Sequence, residues 1–333
     1  MLRSYRFWLG FAISAVFIVL FLRATHPREL GDALGQANYW WLLPAVVVLF
    51  VALALRCVRW SILMRPVMPI SPVRLFPYAI IGYMANNLLP ARAGELVRAY
   101  ILGDRERVSK TGTFGTIAVE RLFDGCVLVV LLLVAGSIVG FNDGRLRAIA
   151  VASTVLFLAA LVGFYVLTLN EQRARRVVHR LLSWLPERIA HRAEELADVL
   201  VSSLRSVHDW RSLASVAGLT GVAWLVEASS YAVVGQGFDM HVGFAEYCLL
   251  LSAANLAIII PTFFGGTGPF EWAVKLVLVG AGVPAAVAGA FALVSHALVL
   301  VPTTILGLLI LWSFGISFRR VVRAEVSEET AAP

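Results

Sequence analysis

Three charged residues lie close together inside a stretch that is otherwise apolar from position 113 to position 141: Glu120, Arg121 and Asp124. Glu120 and Asp124 are four positions apart, so a helix would place both on one face, where like charges repel. On insertion scales, one charged residue at the centre of a membrane helix costs about 2.5–3.5 kcal/mol. Cations must therefore lie near these carboxylates, and Arg121 has the i,i+3 spacing that reaches Asp124.

A second group of polar residues surrounds a Pro–Gly break, in the order Asn86, Asn87, Arg92, Glu95 and Arg98. The guanidinium groups of Arg92 and Arg98 are suited to two tasks. In one interpretation they close an ion-pair cluster with the carboxylates described above and hold the break against the long apolar stretch. In the other, the cluster lines a polar cavity and its Arg side chains bind a phosphate, whose oxygens match the planar donor fork of Arg.

A second break lies late in the chain, where a glycine-rich turn that includes Gly266 and Gly268 is followed by Pro269 and Glu271. Pro is favourable in the first turn of a helix, and the free N–H groups of a helix N-terminus favour an anion. That anion is either a bound ligand or the Glu271 carboxylate itself. Glu271 also has the spacing to pair with Lys275, so a tight turn with a local salt bridge is the alternative.

Glu227 and His296 are isolated ionisable residues in apolar surroundings. Glu227 lies between Trp224 and Tyr231, and it is a candidate proton or ion site or else a hydrogen-bonded structural group. His296 is interpreted as a packing residue. The sequence shows no metal-ligand spacing, so we predict no metal, no cofactor and no catalytic residue.

The composition indicates that these residues belong to a membrane protein. Of the 333 residues, 59% are hydrophobic and only 15% are charged, and the mean hydropathy is +0.82. Soluble globular proteins contain about 25% charged residues, which argues against a soluble protein. The three Cys residues lie in apolar runs without a CxxC pattern, so neither a disulfide framework nor a zinc site is expected.

A transmembrane helix requires about 20 apolar residues. Six runs are interpreted as spans, at positions 7–22, 39–63, 113–141, 147–169, 213–236 and 285–314. The first is expected to be retained, because no signal-peptide cleavage site follows it. Two further segments, 76–102 and 244–282, consist of shorter apolar pieces joined by Pro and Gly. We expect both to be re-entrant hairpins, whose irregular backbone must be buried in protein or line a polar cavity.

The Lys and Arg residues predict the orientation of the chain. With the N-terminus in the cytoplasm and only the six spans crossing, most of the 28 Lys and Arg residues fall in cytoplasmic segments, and Arg56, Arg59 and Arg98 are counted among them. This asymmetry indicates that both termini are cytoplasmic. Hairpin 76–102 then enters from the cytoplasm and hairpin 244–282 from outside, as in the inverted repeats of secondary transporters.

The predicted fold class is therefore an all-α polytopic membrane protein with six transmembrane helices and two re-entrant hairpins of opposite orientation. Residues 1–333 form one integral membrane domain, in which 39–141 is a first repeat and 213–314 a second; two unrelated re-entrant loops are the alternative. Residues 171–211 follow an amphipathic period. We expect surface helices there, lying on anionic lipids of the cytoplasmic leaflet or acting as a connector without a lipid role.

The motifs at 87–95 with 98–100, at 120–124 and from Pro261 to Glu271 resemble those of the lysylphosphatidylglycerol synthase transmembrane-region family, whose members are also called flippase-like or UPF0104 proteins. The resemblance covers nearly the whole chain, and it implies a polytopic domain that moves a lipid or lipid-linked group between leaflets. Full-length synthases of that family continue into a soluble aminoacyl-transferase domain. This chain ends shortly after its last predicted span, so we expect a stand-alone member without synthase activity.

We therefore expect a flippase-like transporter of the plasma (inner) membrane that moves a phospholipid, or a glycolipid, polyprenyl or hopanoid-type lipid. The residues expected to bind the headgroup are Asn87, Arg92, Glu95, Arg98, Glu120, Arg121, Asp124, Gly266, Gly268, Glu271 and Lys275. Two alternatives stay open: a membrane-embedded lipid phosphatase or transferase that uses Glu95, Glu120 and Asp124, and an accessory subunit that transports nothing. The expected partners are membrane lipids and either a second copy of the chain or a lipid-biosynthesis enzyme, and not nucleic acid.

Overall fold

The computed structural model of the protein describes residues 16–19, 21, 27–89, 93–140, 143–169, 210–258 and 264–316. The secondary structure within these ranges is helical throughout, which confirms the prediction of an α-helical protein. Most of the predicted first span at 7–22 lies outside the described residues. The predicted surface helices at 171–211 lie outside them as well, except for the last two residues, which begin a membrane-length helix.

Ten α-helices follow one another in the described parts of the chain. They are α1 (Pro27–Gln36), α2 (Leu42–Met64), α3 (Pro72–Leu88), α4 (Gly94–Glu106), α5 (Lys110–Val139), α6 (Gly144–Leu169), α7 (Trp210–Gly237), α8 (Phe244–Ala257), α9 (Pro269–Gly280) and α10 (Ala285–Ser313). A 3₁₀ turn at Tyr39–Trp41 leads into α2, and another at Phe264–Gly266 lies in the break between α8 and α9.

Among the described residues, four helices are long and apolar enough to cross a membrane, and they lie within a few residues of four predicted spans: Tyr39–Met64, Lys110–Val139, Trp210–Gly237 and Ala285–Ser313. At about 1.5 Å per residue, even the shortest of them reaches about 39 Å, more than a hydrocarbon core of about 30 Å. Helices α3, α4, α8 and α9 have 17, 13, 14 and 12 residues, which corresponds to only about 18–26 Å each.

The ends of the short helices follow from local sequence. Leu89 ends α3 in an extended conformation, as expected for a residue that precedes a proline. Pro72 and Pro269 occupy first-turn positions of α3 and α9, where the missing N–H costs nothing. Each of the four short helices therefore begins at a Pro or a Gly or directly after one, whereas α4 ends just before Arg107 and α8 just before Ile258.

Helices α3 and α4 form an antiparallel pair, called here the first hairpin. At its open end the Tyr78 hydroxyl donates to Glu106 over 2.8 Å, and near its tip the N–H of Gly94 donates to the side-chain oxygen of Asn86 over 2.9 Å. Gly94 also lies so close to α3 that a Cβ there would overlap the backbone of Gly82 and Asn86. Helices α8 and α9 pack on each other across their break and are called the second hairpin.

The long helices hold the hairpins between them. Helix α2 runs antiparallel to α7, because the N–H of Asn38 donates to the carbonyl of Gly237 at one end and Arg59 contacts Thr220 further along. Helix α3 of the first hairpin packs along α10, and α8 of the second hairpin packs along α5. Each hairpin is thus covered by a long helix from the other half of the chain.

We expect the substitution Gly94→Ala to lower the thermal stability of the detergent-solubilised protein. The added Cβ would lie 2.6 Å from the backbone nitrogen of Asn86, so α3 and α4 would have to move apart, and overpacking of this kind costs about 1–3 kcal/mol. The measurement is the midpoint of thermal unfolding. The control is Gly221→Ala in α7, where an added Cβ meets nothing within 4 Å; equal midpoints for the two variants would contradict the prediction.

Candidate functional site

A buried ion network joins α2 to α5. The Nη1 atom of Arg59 lies 2.5 Å from Oδ1 of Asp124 and also donates to the hydroxyl of Thr220 in α7 over 2.9 Å. Its Nη2 atom lies 3.2 Å from Glu120. The Arg59 side chain is fully buried, and its guanidinium group contacts both carboxylates that the sequence places on one helical face.

The first hairpin contributes a second cation to the same network. Arg98 of α4 donates from both terminal nitrogens to the two oxygens of Glu120, over 3.1 and 3.2 Å. Its guanidinium group also stacks on the ring of Trp60, 3.3 Å from the ring centroid. The fork geometry and the aromatic face together hold α4 against α2 and α5.

Arg121 is the third cation, and it faces a less enclosed space. It contacts Glu120, lies 3.2 Å from Asp124 at the predicted i,i+3 spacing, and lies 3.7 Å from Glu95. Its side chain is 33% exposed, and that of Glu95 is 27% exposed. Among the described residues, this ion network therefore contains three Arg and three carboxylates, and its charges balance.

A separate ion pair crosses from α2 to α7, where Arg56 lies 2.5 Å from Glu227. The Arg56 guanidinium also lies 4.3 Å from the centre of the Trp224 ring, and the indole N–H of Trp224 donates to Asp124 over 3.1 Å. This pair gives Glu227 a structural cation. Arg56, Arg59 and Arg98, which the charge count places in cytoplasmic segments, have side chains that are buried in the helix bundle.

A cavity of about 100 Å³ lies beside the ion network and between the two hairpins. Its polar lining comes from α2, α3, α5, α7, α8 and α10, and consists of Arg56, Tyr83, Asn86, Asn87, Arg121, Glu227, Tyr231, Asn255, His296 and Thr303. The remaining lining includes apolar residues such as Leu49 and Val299. Charged, amide and aromatic groups therefore converge on one space inside an otherwise apolar protein.

The two breaks meet at this cavity. A Cβ on Gly265, in the turn of the second hairpin, would lie 3.5 Å from the side-chain oxygen of Asn87 in the first hairpin. The amide nitrogen of Asn87 donates to the hydroxyls of Thr303 and Thr304 and to the carbonyl of Leu300, all in α10. Asn87 therefore fixes the tip of the first hairpin at the point where the second hairpin breaks.

The second hairpin holds Glu271 as a capping carboxylate. One oxygen of Glu271 accepts from the N–H of Gly268 over 2.7 Å, and the other lies 2.6 Å from Nδ1 of His296 in α10. The predicted anion at this helix start is thus Glu271 itself. Lys275 donates to the carbonyl of Phe21 over 3.3 Å, which ties α9 to the N-terminal part of the chain.

The structure divides the predicted site residues into groups. Asn87, Arg121 and Glu227 line the cavity, whereas Arg98, Glu120 and Asp124 lie behind it in the ion network. Glu271, Gly268 and Gly266 belong to the second break, where a Cβ on Gly266 would contact Ile258. Arg92 lies outside the described residues. No group of metal-ligating side chains occurs in the described part of the chain.

Sequence reasoning did not identify four polar residues of the cavity, Arg56, Tyr83, Asn255 and Thr303, and it interpreted His296 only as a packing residue. Arg56 lies within the apolar run at 39–63, and that position inside a predicted span was a usable signal of burial. Asn255 occurs near the end of α8, as Asn87 does in α3, and this parallel was a second usable signal. No sequence pattern connects His296 with Glu271, because their contact depends on the packing of α9 against α10.

Comparisons with known proteins agree on one family. Residues 7–307 match the model of the lysylphosphatidylglycerol synthase TM region. Two proteins of Methanothermobacter thermautotrophicus, both named UPF0104 membrane protein, are 26% identical to the chain; one alignment covers 85% of the chain and 88% of the relative, the other 89% and 90%. The glycosyltransferase AglD of Haloferax volcanii is 27% identical over 96% of the chain, which spans 56% of that relative. No solved structure matches.

We expect Asp124→Asn to destabilise the protein strongly. The substitution leaves the fully buried Arg59 without its closest carboxylate, and breaking a buried ion pair on one side costs about 3–5 kcal/mol. The measurement is the thermal unfolding midpoint in detergent.

The matched control for this prediction is Asp143→Asn. Asp143 pairs with Arg145 in a surface ion pair whose side chains are 30% and 65% exposed, and such pairs contribute about 0–1 kcal/mol. A similar loss of stability in both variants would show that burial of the ion network is not what makes it important.

Proposed function

The chain belongs to the lysylphosphatidylglycerol synthase transmembrane-region family, and from that premise we propose that it translocates a lipid between leaflets by binding the headgroup in the cavity between its two hairpins. The observation that carries the proposal is the cavity itself, in which Arg56, Arg121, Glu227 and several amides converge inside an apolar helix bundle. Intramembrane ionisable groups that line a space are typical of substrate paths.

The depth of the cavity supports this role. Glu227 lies ten residues before the end of α7, and His296 lies eleven residues after the start of α10. At about 1.5 Å per residue, both are about 15–17 Å from those helix ends and about 25 Å from the opposite ends, so both lie near the middle of helices that are longer than a hydrocarbon core of about 30 Å. A headgroup bound there is about halfway between the leaflets.

We propose for the whole chain six spans, two re-entrant hairpins that enter from opposite sides, and cytoplasmic termini in the plasma membrane. The packing supports an inverted repeat. If helices α2, α3, α4 and α5 are matched in order with α7, α8, α9 and α10, each helix contact within one half has a counterpart in the other half. The contact of α3 with α10 likewise corresponds to the contact of α8 with α5. Because the matched helices α2 and α7 are antiparallel, the axis that relates the halves is perpendicular to them.

The headgroup that fits best carries a phosphate. Arg56 and Arg121 both reach the cavity, and Arg provides the planar donor fork that phosphate oxygens accept. Aromatic and amide groups beside them, including Tyr83 and Asn255, suit the hydroxyl groups of a glycerol or sugar. Ion pairing of Glu120 and Asp124 with Arg59 and Arg98 favours translocation over a phosphatase or transferase, since general acid–base work needs a carboxylate within reach of the substrate.

The test is a leaflet-exposure assay. The protein is reconstituted in vesicles of phosphatidylcholine and phosphatidylglycerol with a trace of fluorescent phosphatidylglycerol or, in a second arm, a fluorescent glucosyl diacylglycerol. Dithionite then bleaches whatever reaches the outer leaflet. We expect bleaching to exceed the level of protein-free vesicles in the phosphatidylglycerol arm. Movement of the glucosyl lipid alone would make the headgroup a sugar, and no movement of either lipid would overturn the proposal.

We expect Val299→Trp to abolish translocation while the protein still folds. Val299 lines the cavity, and an indole there would occupy much of its volume. The control is Val301→Trp on the same helix, where the native side chain is 51% exposed on the outer face of the bundle; it is expected to behave as the wild type. Thermal midpoints of both variants verify folding. Full translocation by Val299→Trp would contradict the role of the cavity.

A further inference from the structure

Glu271 and His296 form a buried pair at the wall of the cavity, and the ion network does not include them. Both side chains are about 95% buried. The His296 ring also stacks on Phe270, with 4.3 Å between ring centroids, and faces the cavity together with Gly265. The pair therefore places a titratable group next to the cavity that is proposed to bind the headgroup.

Hydrogen-bond chemistry determines how many protons this pair holds. Nδ1 of His296 lies 2.6 Å from Glu271, and Nε2 lies 3.3 Å from the carbonyl oxygen of Gly265. A carbonyl oxygen only accepts, and a carboxylate only accepts as well. Both contacts are hydrogen bonds only when the pair holds two protons, either as imidazolium and carboxylate or as neutral imidazole and carboxylic acid.

Removal of one proton breaks one of these two hydrogen bonds. If the remaining proton stays on Nδ1, the lone pair of Nε2 faces the Gly265 carbonyl; if it stays on Nε2, the lone pair of Nδ1 faces the carboxylate. The second alternative is the less favourable, because Glu271 carries a full charge and lies closer. Gly265 belongs to the turn that breaks the second hairpin, with φ of 63°, so deprotonation removes a hydrogen bond between that turn and α10.

The Arg residues near the Glu271–His296 pair have carboxylate partners of their own. The titratable groups that face it from the neighbouring helices are Arg56, Tyr83, Arg121, Glu227, Tyr231 and, on its own helix, Lys275. Arg56 is neutralised by Glu227, and Arg121 is neutralised within the ion network. The hydrogen-bond partners of the Glu271–His296 pair are the Gly265 carbonyl and the N–H of Gly268.

We propose that the Glu271–His296 pair is a proton-binding site that couples the position of the turn at Gly265, and with it headgroup movement, to proton transfer across the membrane. The inference rests on the proposed function and adds an energy source to it. One proton from the solution on one side binds the Nε2 lone pair of His296 and closes the hydrogen bond to Gly265. The same proton leaves to the other side when the turn moves, so only an N–H bond forms and breaks.

The test compares His296→Gln with the wild type in the vesicles described above, with a pH gradient imposed across the membrane and a pH-sensitive dye trapped inside. Gln keeps an amide that donates to Glu271 but does not titrate. We expect the pH gradient to accelerate lipid movement by the wild type and protons to cross the membrane with the lipid. In His296→Gln we expect neither the acceleration nor the proton movement. Glu271→Gln is the second variant, with the same expected loss. His241→Gln is the control, because its side chain is 87% exposed.

Two results of this assay would overturn the inference while leaving the proposed function intact. One is lipid movement by the wild type that ignores the gradient and carries no protons. The other is an unchanged gradient response in His296→Gln.

An independent measurement decides the case in which the wild type moves no lipid. Nuclear magnetic resonance of protein with labelled His nitrogens and a labelled Gly265 carbonyl, assigned against His296→Gln, follows both groups with pH. We expect the Gly265 signal to shift together with the His296 nitrogens. A His296 ring that does not titrate, or a Gly265 signal that stays constant while it does, would overturn the proton site.

Discussion

Hydrocarbon cannot solvate an isolated ion, and the architecture depends on how this constraint is met between α2, α4 and α5. Arg59, with Asp124 and Glu120 around it, is the centre of the ion network. Arg98 extends the network to the first hairpin, so charge neutralisation also sets the position of α4. Since α3 is joined to α4 through close contacts at Gly94, the same interaction indirectly places Asn87 at the cavity.

The second hairpin is placed by another means. Its helix α9 begins with Glu271 capping the N–H of Gly268, and that carboxylate is linked to α10 through His296. The first hairpin is therefore held by an Arg–carboxylate ion pair, whereas the second is held by the contact between Glu271 and His296. The two halves have the same order of helix contacts, but different side-chain contacts hold their hairpins in place.

Much of this arrangement follows from local sequence. Apolar run lengths predict the long helices to within a few residues, Pro and Gly predict the breaks between the short helices, and helical spacing predicts the contact of Arg121 with Asp124. The ion-pair partners of Arg56 and Arg59 could not be obtained in this way. A count of Lys and Arg on each side of the membrane treats every Arg near the end of a span as exposed to water. Arg56 and Arg59 are instead paired with carboxylates on α7 and α5. The role of His296 likewise depends on helix packing.

The division of the ion pairs between the halves has a consequence for biosynthesis. All members of the ion network lie between α2 and α5, so the nascent first half carries matched charges as soon as α5 emerges from the ribosome. Arg56 is different, because its carboxylate, Glu227, lies in α7. Until that helix is made, the ion pair with Glu227 cannot form, and burying Arg56 in hydrocarbon without a counter-charge is costly.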